Sequence, residues 1–141
     1  MSKVWNRAAF VAALGFLAPM PAGAVPSCAP KLVVHNVQRI YHPSVYSDKK
    51  SYPKVATVSS RLVFDETPEY KQIAKRKLSP ATAEWTLLVK SASDKFKAAV
   101  AKAASEAGYD LVAETGAVTV EGGKLDDATS AVLARLHAPR R

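Results

Sequence analysis

Three histidines, a single cysteine and two adjacent carboxylate pairs are the side chains from which catalysis could be built. His35, His42 and His137 lie far apart, without the short spacing by which one turn or strand gathers metal ligands. Cys28 has no partner, which excludes an internal disulfide and any multi-cysteine zinc or iron–sulfur site. It stands between Pro26 and Pro30, in a start that offers no histidine orientation to activate a thiol. Asp65-Glu66 and Asp126-Asp127 each precede a segment that reads as a helix. Carboxylates there cap free N–H groups and meet the positive end of the dipole, without acid–base chemistry. Gly122-Gly123 reads as a turn, and no glycine-rich phosphate loop occurs. No residue pattern asks for a catalytic site, a metal or a cofactor, so the expectation is a binding protein and not an enzyme.

Positive charge is the feature left to explain. In 141 residues, 20 Lys and Arg against 12 Asp and Glu give a net charge of +8, which favours anionic partners. Lys71, Lys75, Arg76 and Lys77 cluster in one expected helix, and Lys90, Lys95, Lys97 and Lys102 surround Phe96 in the next. Lys71, Lys75, Arg76, Lys77, Lys90 and Lys97 are the candidate residues for binding a client or an anionic surface. A plain solvated face is the alternative. The aromatic residues do not interleave with the basic ones as a base-stacking platform would, which disfavours nucleic acid.

The elements that position these residues follow from pattern and punctuation. Met1–Arg7 carries Lys3 and Arg7, Ala8–Ala18 is apolar and too short to span a bilayer, and Ala22-Gly23-Ala24 offers a small-residue cleavage site. Residues 1–24 are therefore expected to be a secretory signal peptide cleaved after Ala24, which places the protein in the periplasm. Acylation at Cys28 is the less favoured alternative, because Pro26 fits poorly in a lipoprotein box. Residues 25–53, with four prolines, are expected to be an irregular extension, although Lys31–Val37 could form a short strand. Lys54–Ser60 is β-branched and alternating, a strand pattern, with Leu62-Val63-Phe64 continuing or leaving it. Thr67-Pro68-Glu69 starts a helix running to about Leu78, and Ser79-Pro80 starts another. From there to Ala107 the apolar steps of three and four (Trp85, Leu88, Val89, Ala92, Phe96, Ala99, Val100, Ala103, Ala107) predict one long amphipathic helix, stopped by Gly108. A hairpin turning at Thr115-Gly116 then gathers Leu111, Ala113, Val118 and Val120 on one apolar face. That face is the expected oligomer interface. Asp126-Asp127 opens a last helix carrying Ala131, Val132, Leu133 and Leu136, and Pro139–Arg141 is a basic end. The expected fold class is α+β, a small antiparallel sheet with one long helix and shorter flanking ones.

Two stretches resemble the Skp/OmpH family of periplasmic chaperones. In the first, Val58, Val63, Phe64, Thr67, Pro68, Tyr70 and Lys71 match a strand ending in valine, a short apolar step, and Ser/Thr-Pro-x-Tyr-Lys entering a helix. In the second, an alanine-rich helix after Phe96 leads into Gly108-Tyr109-Asp110-Leu111-Val112, Gly116-Ala117-Val118, then Asp127-Ala128-Thr129 and Val132. The likeness spans residues 54–138. It implies a trimeric body that holds unfolded outer-membrane or envelope proteins without ATP, with anionic lipid or lipopolysaccharide as a further partner. The family's long coiled-coil arms fall between these two stretches. Here Ser79-Pro80 interrupts the short separation between Tyr70 and Phe96, so the arms are very short or absent. An envelope structural or adaptor module that keeps the same oligomeric body without holdase activity is the second expectation.

Overall fold

The computed structural model describes residues 31–138. The expected signal peptide, Cys28 and the basic end Pro139–Arg141 lie outside these residues. The chain forms strand β1 (Lys31–Val34), a short 3-10 turn, β2 (Ile40–His42), β3 (Val55–Val58), helices α1 (Ser60–Asp65), α2 (Pro68–Arg76) and α3 (Ala83–Ala107), strands β4 (Leu111–Glu114), β5 (Val118–Glu121) and β6 (Asp126–Asp127), and α4 (Thr129–His137). It is an α+β fold with small sheets and one long helix.

Local chemistry sets the helix limits. The Thr67 hydroxyl accepts the Tyr70 N–H at 3.3 Å, with Pro68 in the first turn, as the sequence suggests. Lys77 ends α2 in a left-handed conformation (φ 48°). The long helix begins later than Ser79-Pro80 because those residues form a turn, with Thr82 N–H bonded to Ser79 C=O at 3.0 Å. Thr82 then caps α3 by accepting the Trp85 N–H. Gly108 closes the helix at φ 68°, the role read for it in the sequence.

The larger sheet has the order β2-β4-β3-β6 and is mixed, not antiparallel. β3 runs parallel to β4, with Val55 opposite Leu111 and Val58 opposite Glu114, and parallel to β6. A parallel pair requires a long crossover, here supplied by α1, α2 and α3. The expected β4–β5 hairpin is therefore corrected. Its turn exists, with Ala117 N–H donating to Glu114 C=O at 2.9 Å. Its ladder does not, because β3 and β2 already occupy both edges of β4. β5 pairs instead with β1, Lys31 opposite Glu121 through Val34 opposite Val118. Asp126-Asp127 joins β3 as an edge strand before α4 begins.

Alternation along β3 and β4 divides the core into two sides. Ala56, Val58 and Val112 face a cluster with Val63, Phe96, Ala99, Val100, Ala103, Ala104 and Val132 from the helices. Phe96 anchors it, edge-on to Tyr41 at 4.8 Å and stacked on Phe64 at 5.0 Å. Val55, Leu111 and Ala113 face the opposite way, into a cluster with Tyr52, Ala117 and Val118, flanked by Leu32, Val34, Ile40 and Tyr46. The molecule thus has a helix layer, the mixed sheet, and the β1–β5 ribbon.

This second cluster revises two expectations. Residues 31–52 are not an irregular extension, because they supply β1, β2 and the Tyr52 side chain that close the core. Leu111 and Ala113 (each 0 % exposed) and Val118 (1 %) are covered by the chain itself, and Val120 is half-buried beside them. The four residues read as an oligomer interface are core, because the distant β1 covers the face that the hairpin reading left open.

Candidate functional site

The basic residues lie on a two-helix protrusion. α2 and the first half of α3 pack antiparallel, tied at two levels. Near the connection the Arg76 guanidinium forks onto the Glu84 carboxylate, with Nη2 to Oε2 at 3.0 Å. Nearer the body, Glu69 Oε1 accepts hydrogen bonds from Lys95 and from the Ser91 hydroxyl, the latter at 3.0 Å.

The two ties differ in electrostatics. Arg76 and Glu84 are about half exposed, so their pair is screened and contributes little. Glu69 is buried, at 7 % exposure, and its Oε2 has no hydrogen-bond partner among the described residues. Burial acts to raise the Glu69 pKa, but hydrogen bonds from Lys95, its own backbone N–H and Ser91 outweigh it and hold the carboxyl below its ordinary value. Glu69 and Lys95 therefore form the structural clamp of the protrusion. The sequence shows Glu69 only as a helix-start acid and Lys95 as one of several surface lysines. A contact across 26 residues follows no spacing rule that would have paired them.

Of the six candidate binding residues, Lys71 pairs with Glu66 at 2.8 Å and Arg76 with Glu84. Lys75, Lys77, Lys90 and Lys97 are exposed and have no carboxylate partner among the described residues. Lys90 and Lys97 lie two turns apart on one side of α3, and Lys75 and Lys77 stand at the end of α2. The structure thus places Lys75 and Lys77 near the α2–α3 connection, level with Glu84, and Lys90 and Lys97 nearer the body on α3.

A second polar constellation lies at the carboxyl ends of the parallel strands, where sheets of this kind commonly hold ligands. Glu114 ends β4, accepts the Ser60 N–H at the start of α1 at 3.1 and 3.2 Å, and accepts the Tyr41 hydroxyl at 2.9 Å. Asp127 accepts the Thr129 N–H at 2.9 Å, and the Thr129 hydroxyl accepts the Ser59 N–H at 3.1 Å. The Thr129 hydroxyl and N–H lower the Asp127 pKa. The chain's own carboxylates thus meet both helix starts, and an incoming anion would find them taken. Asp127 has the capping role expected of it, while Glu114 was missed because its donors come from residues 41 and 60.

The histidines converge on no common centre. His35 shares a 3.1 Å hydrogen bond with Thr119 across the β1–β5 ribbon, and no cluster of His, Cys, Asp and Glu able to hold a metal occurs among the described residues. No described helix is long and apolar enough to cross a membrane. No family model, curated protein or solved structure matches the chain.

Proposed function

We propose that this chain is an exported, ATP-independent binding protein of the Skp/OmpH kind, in which the short α2–α3 hairpin stands in the place of the family's long arms. One observation carries the reading. The two family-like stretches, separated in sequence by the residues between Lys71 and Phe96, are brought side by side through the parallel pair β3 and β4, with helices α1, α2 and α3 as the connecting excursion. The intervening chain leaves the body as an antiparallel helix pair and returns to the same sheet. That is the layout a shortened arm requires. The clients on this reading are unfolded outer-membrane or envelope proteins, met by Lys75, Lys77, Lys90 and Lys97, with Lys71 and Arg76 already engaged by Glu66 and Glu84.

The body on this reading is a homotrimer. Leu111, Ala113 and Val118 are occupied within the chain, so subunits would join through strand edges instead. β1 and β5 each have one edge unpaired within the two-stranded sheet, and β2 and β6 flank the larger sheet.

The adaptor reading is favoured by a different observation. α2 has only nine residues, about 14 Å of helix, which encloses little volume even in a trimer. Aggregation of a urea-diluted outer-membrane β-barrel protein separates the two readings. Suppression by stoichiometric amounts of this protein, without nucleotide and weakened by salt, supports the holdase. Unchanged light scattering at a several-fold excess supports the adaptor.

A further inference from the structure

Helix α2 is joined to the body at both ends but takes no part in its core. Neither core cluster contains a residue of Pro68–Arg76. Its single buried residue is Glu69, a carboxylate. Tyr70 and Ile73 are half-buried, and the other residues of the helix are exposed. Hydrophobic burial therefore holds α2 to α3 only weakly. Nine residues are also too few for a helix to persist alone, since isolated helices shorter than about 12–15 residues are marginal in water.

The rest of the hold is polar. The half-exposed Arg76–Glu84 fork contributes little, so the contacts of Glu69 with Lys95 and Ser91 are the principal tie. That tie is incomplete. Among the described residues, Glu69 Oε2 is the one buried side-chain oxygen or nitrogen without a hydrogen-bond partner. A carboxylate oxygen so placed favours any state that returns it to water. The body does not depend on α2 in the same way. From Phe96 to Ala104, the core part of α3 packs with Val58, Val112 and Val132.

We propose that α2 is a strap that comes off α3 as a unit while the body stays folded, with Glu69 and Lys95 as its latch. Both ends of the strap are fixed. Thr67 is fully buried and its hydroxyl donates to the Phe64 carbonyl at 2.7 Å, and the turn from Ser79 to Thr82 holds the start of α3. Melting of the segment between them disturbs neither. Release frees Lys95, which then joins the exposed Lys90 and Lys97 on α3. Trp85, Leu88 and Val89, half-buried while the strap is closed, lose its cover. The use of the open form, as the state that admits a client segment, rests on the holdase reading; the opening itself needs no client.

Native-state hydrogen exchange, read amide by amide by nuclear magnetic resonance, tests the strap. The amides of Ile73 and Ala74 should exchange at least about 100-fold faster than those of Val100 and Ala104, yet more slowly than in an unstructured peptide. Val118→Ala separates opening from unfolding, because Val118 is buried in the body whether the strap is closed or open. It should speed exchange at Val100 and Ala104 by roughly thirtyfold and leave Ile73 and Ala74 unchanged. Lys95→Met should speed Ile73 and Ala74 by about thirtyfold, and Lys102→Met, at an exposed position of the same helix, should not. Equal rates in strap and core, or equal acceleration of both by Val118→Ala, would show that α2 is released only by global unfolding and would overturn the proposal. It is also overturned by exchange of α2 at the peptide rate, which leaves no closed state, or by an unchanged strap in Lys95→Met. No client is present in these measurements, so their outcome is separate from that of the aggregation assay for the holdase.

Discussion

Replacing Val118 by alanine and by aspartate distinguishes a core strand from a subunit interface. Val118 is 1 % exposed, lies opposite Val34 in the β1–β5 ladder, and packs among Tyr52, Val55, Leu111, Ala113 and Ala117. Val118→Ala removes two methyl groups, about 1.6 kcal/mol of transfer free energy at ~0.8 kcal/mol each. The cavity left behind raises the loss to about 2–3 kcal/mol. At roughly 4–8 °C per kcal/mol, the melting temperature should fall by about 10–20 °C. Val118→Asp places a carboxylate in a cluster with no cation, at a cost of several kcal/mol more. The sum approaches the roughly 5–15 kcal/mol that holds a domain together, so this variant should be unfolded. Lys124→Ala, in the exposed segment after β5, is the control and should change stability by no more than about 0.5 kcal/mol. Circular dichroism melts read all three. A Val118→Asp protein that melts cooperatively as a folded monomer would refute the burial argument and return Val118 to a subunit interface.

The Glu69 clamp makes stability sensitive to acid and to its partner. Glu69 is held below its ordinary value of 4.5, so its contribution is present above that pH and is lost as pH falls through the lower folded value. Lys95→Met should cost about 2 kcal/mol, less than the 3–5 of a fully buried pair because Lys95 is 30 % exposed. It should also move the acid loss to higher pH, since burial then acts on Glu69 with less opposition; urea titrations from pH 3 to 7 follow both effects. Glu114→Gln weakens the charge-assisted acceptor for Ser60 N–H and Tyr41 hydroxyl and should cost about 1–2 kcal/mol. A cycle with Tyr41→Phe should show coupling above about 0.5 kcal/mol, and additive losses would mean that Tyr41 and Glu114 act separately.

What was legible in the sequence was whatever is decided within a few residues. Thr67-Pro68 and Gly108 punctuate helices through local hydrogen bonds and backbone conformation, and both act as read. The stripe through Ala92, Phe96, Ala99, Val100 and Ala103 repeats at helical spacing, and all five are buried. What failed was decided by competition between distant segments. The Thr115-Gly116 turn is correct, but whether β4 pairs with β5 depends on whether β2 and β3 have taken its edges, and no local pattern records that. The same long-range choice hid the role of residues 31–52, whose prolines suggested an open extension while Leu32, Val34 and Tyr52 close the core. The positions of the basic residues were legible, because exposure follows the helical period. Their sorting into paired and free was not, since Glu66 and Glu84 reach Lys71 and Arg76 across helix boundaries.

Both functional readings rest on an oligomeric body, and the molar mass in solution tests that most directly. Multi-angle light scattering of the protein beginning at Val25, at micromolar concentration and physiological ionic strength, should give three times the chain mass. Since the strand edges and not Val118 are assigned to the contact, that mass should persist in Val120→Thr, which spares the backbone of β5. A stable, well-folded species of one chain mass across the concentration range would contradict the account and leave the hairpin as a monomeric device.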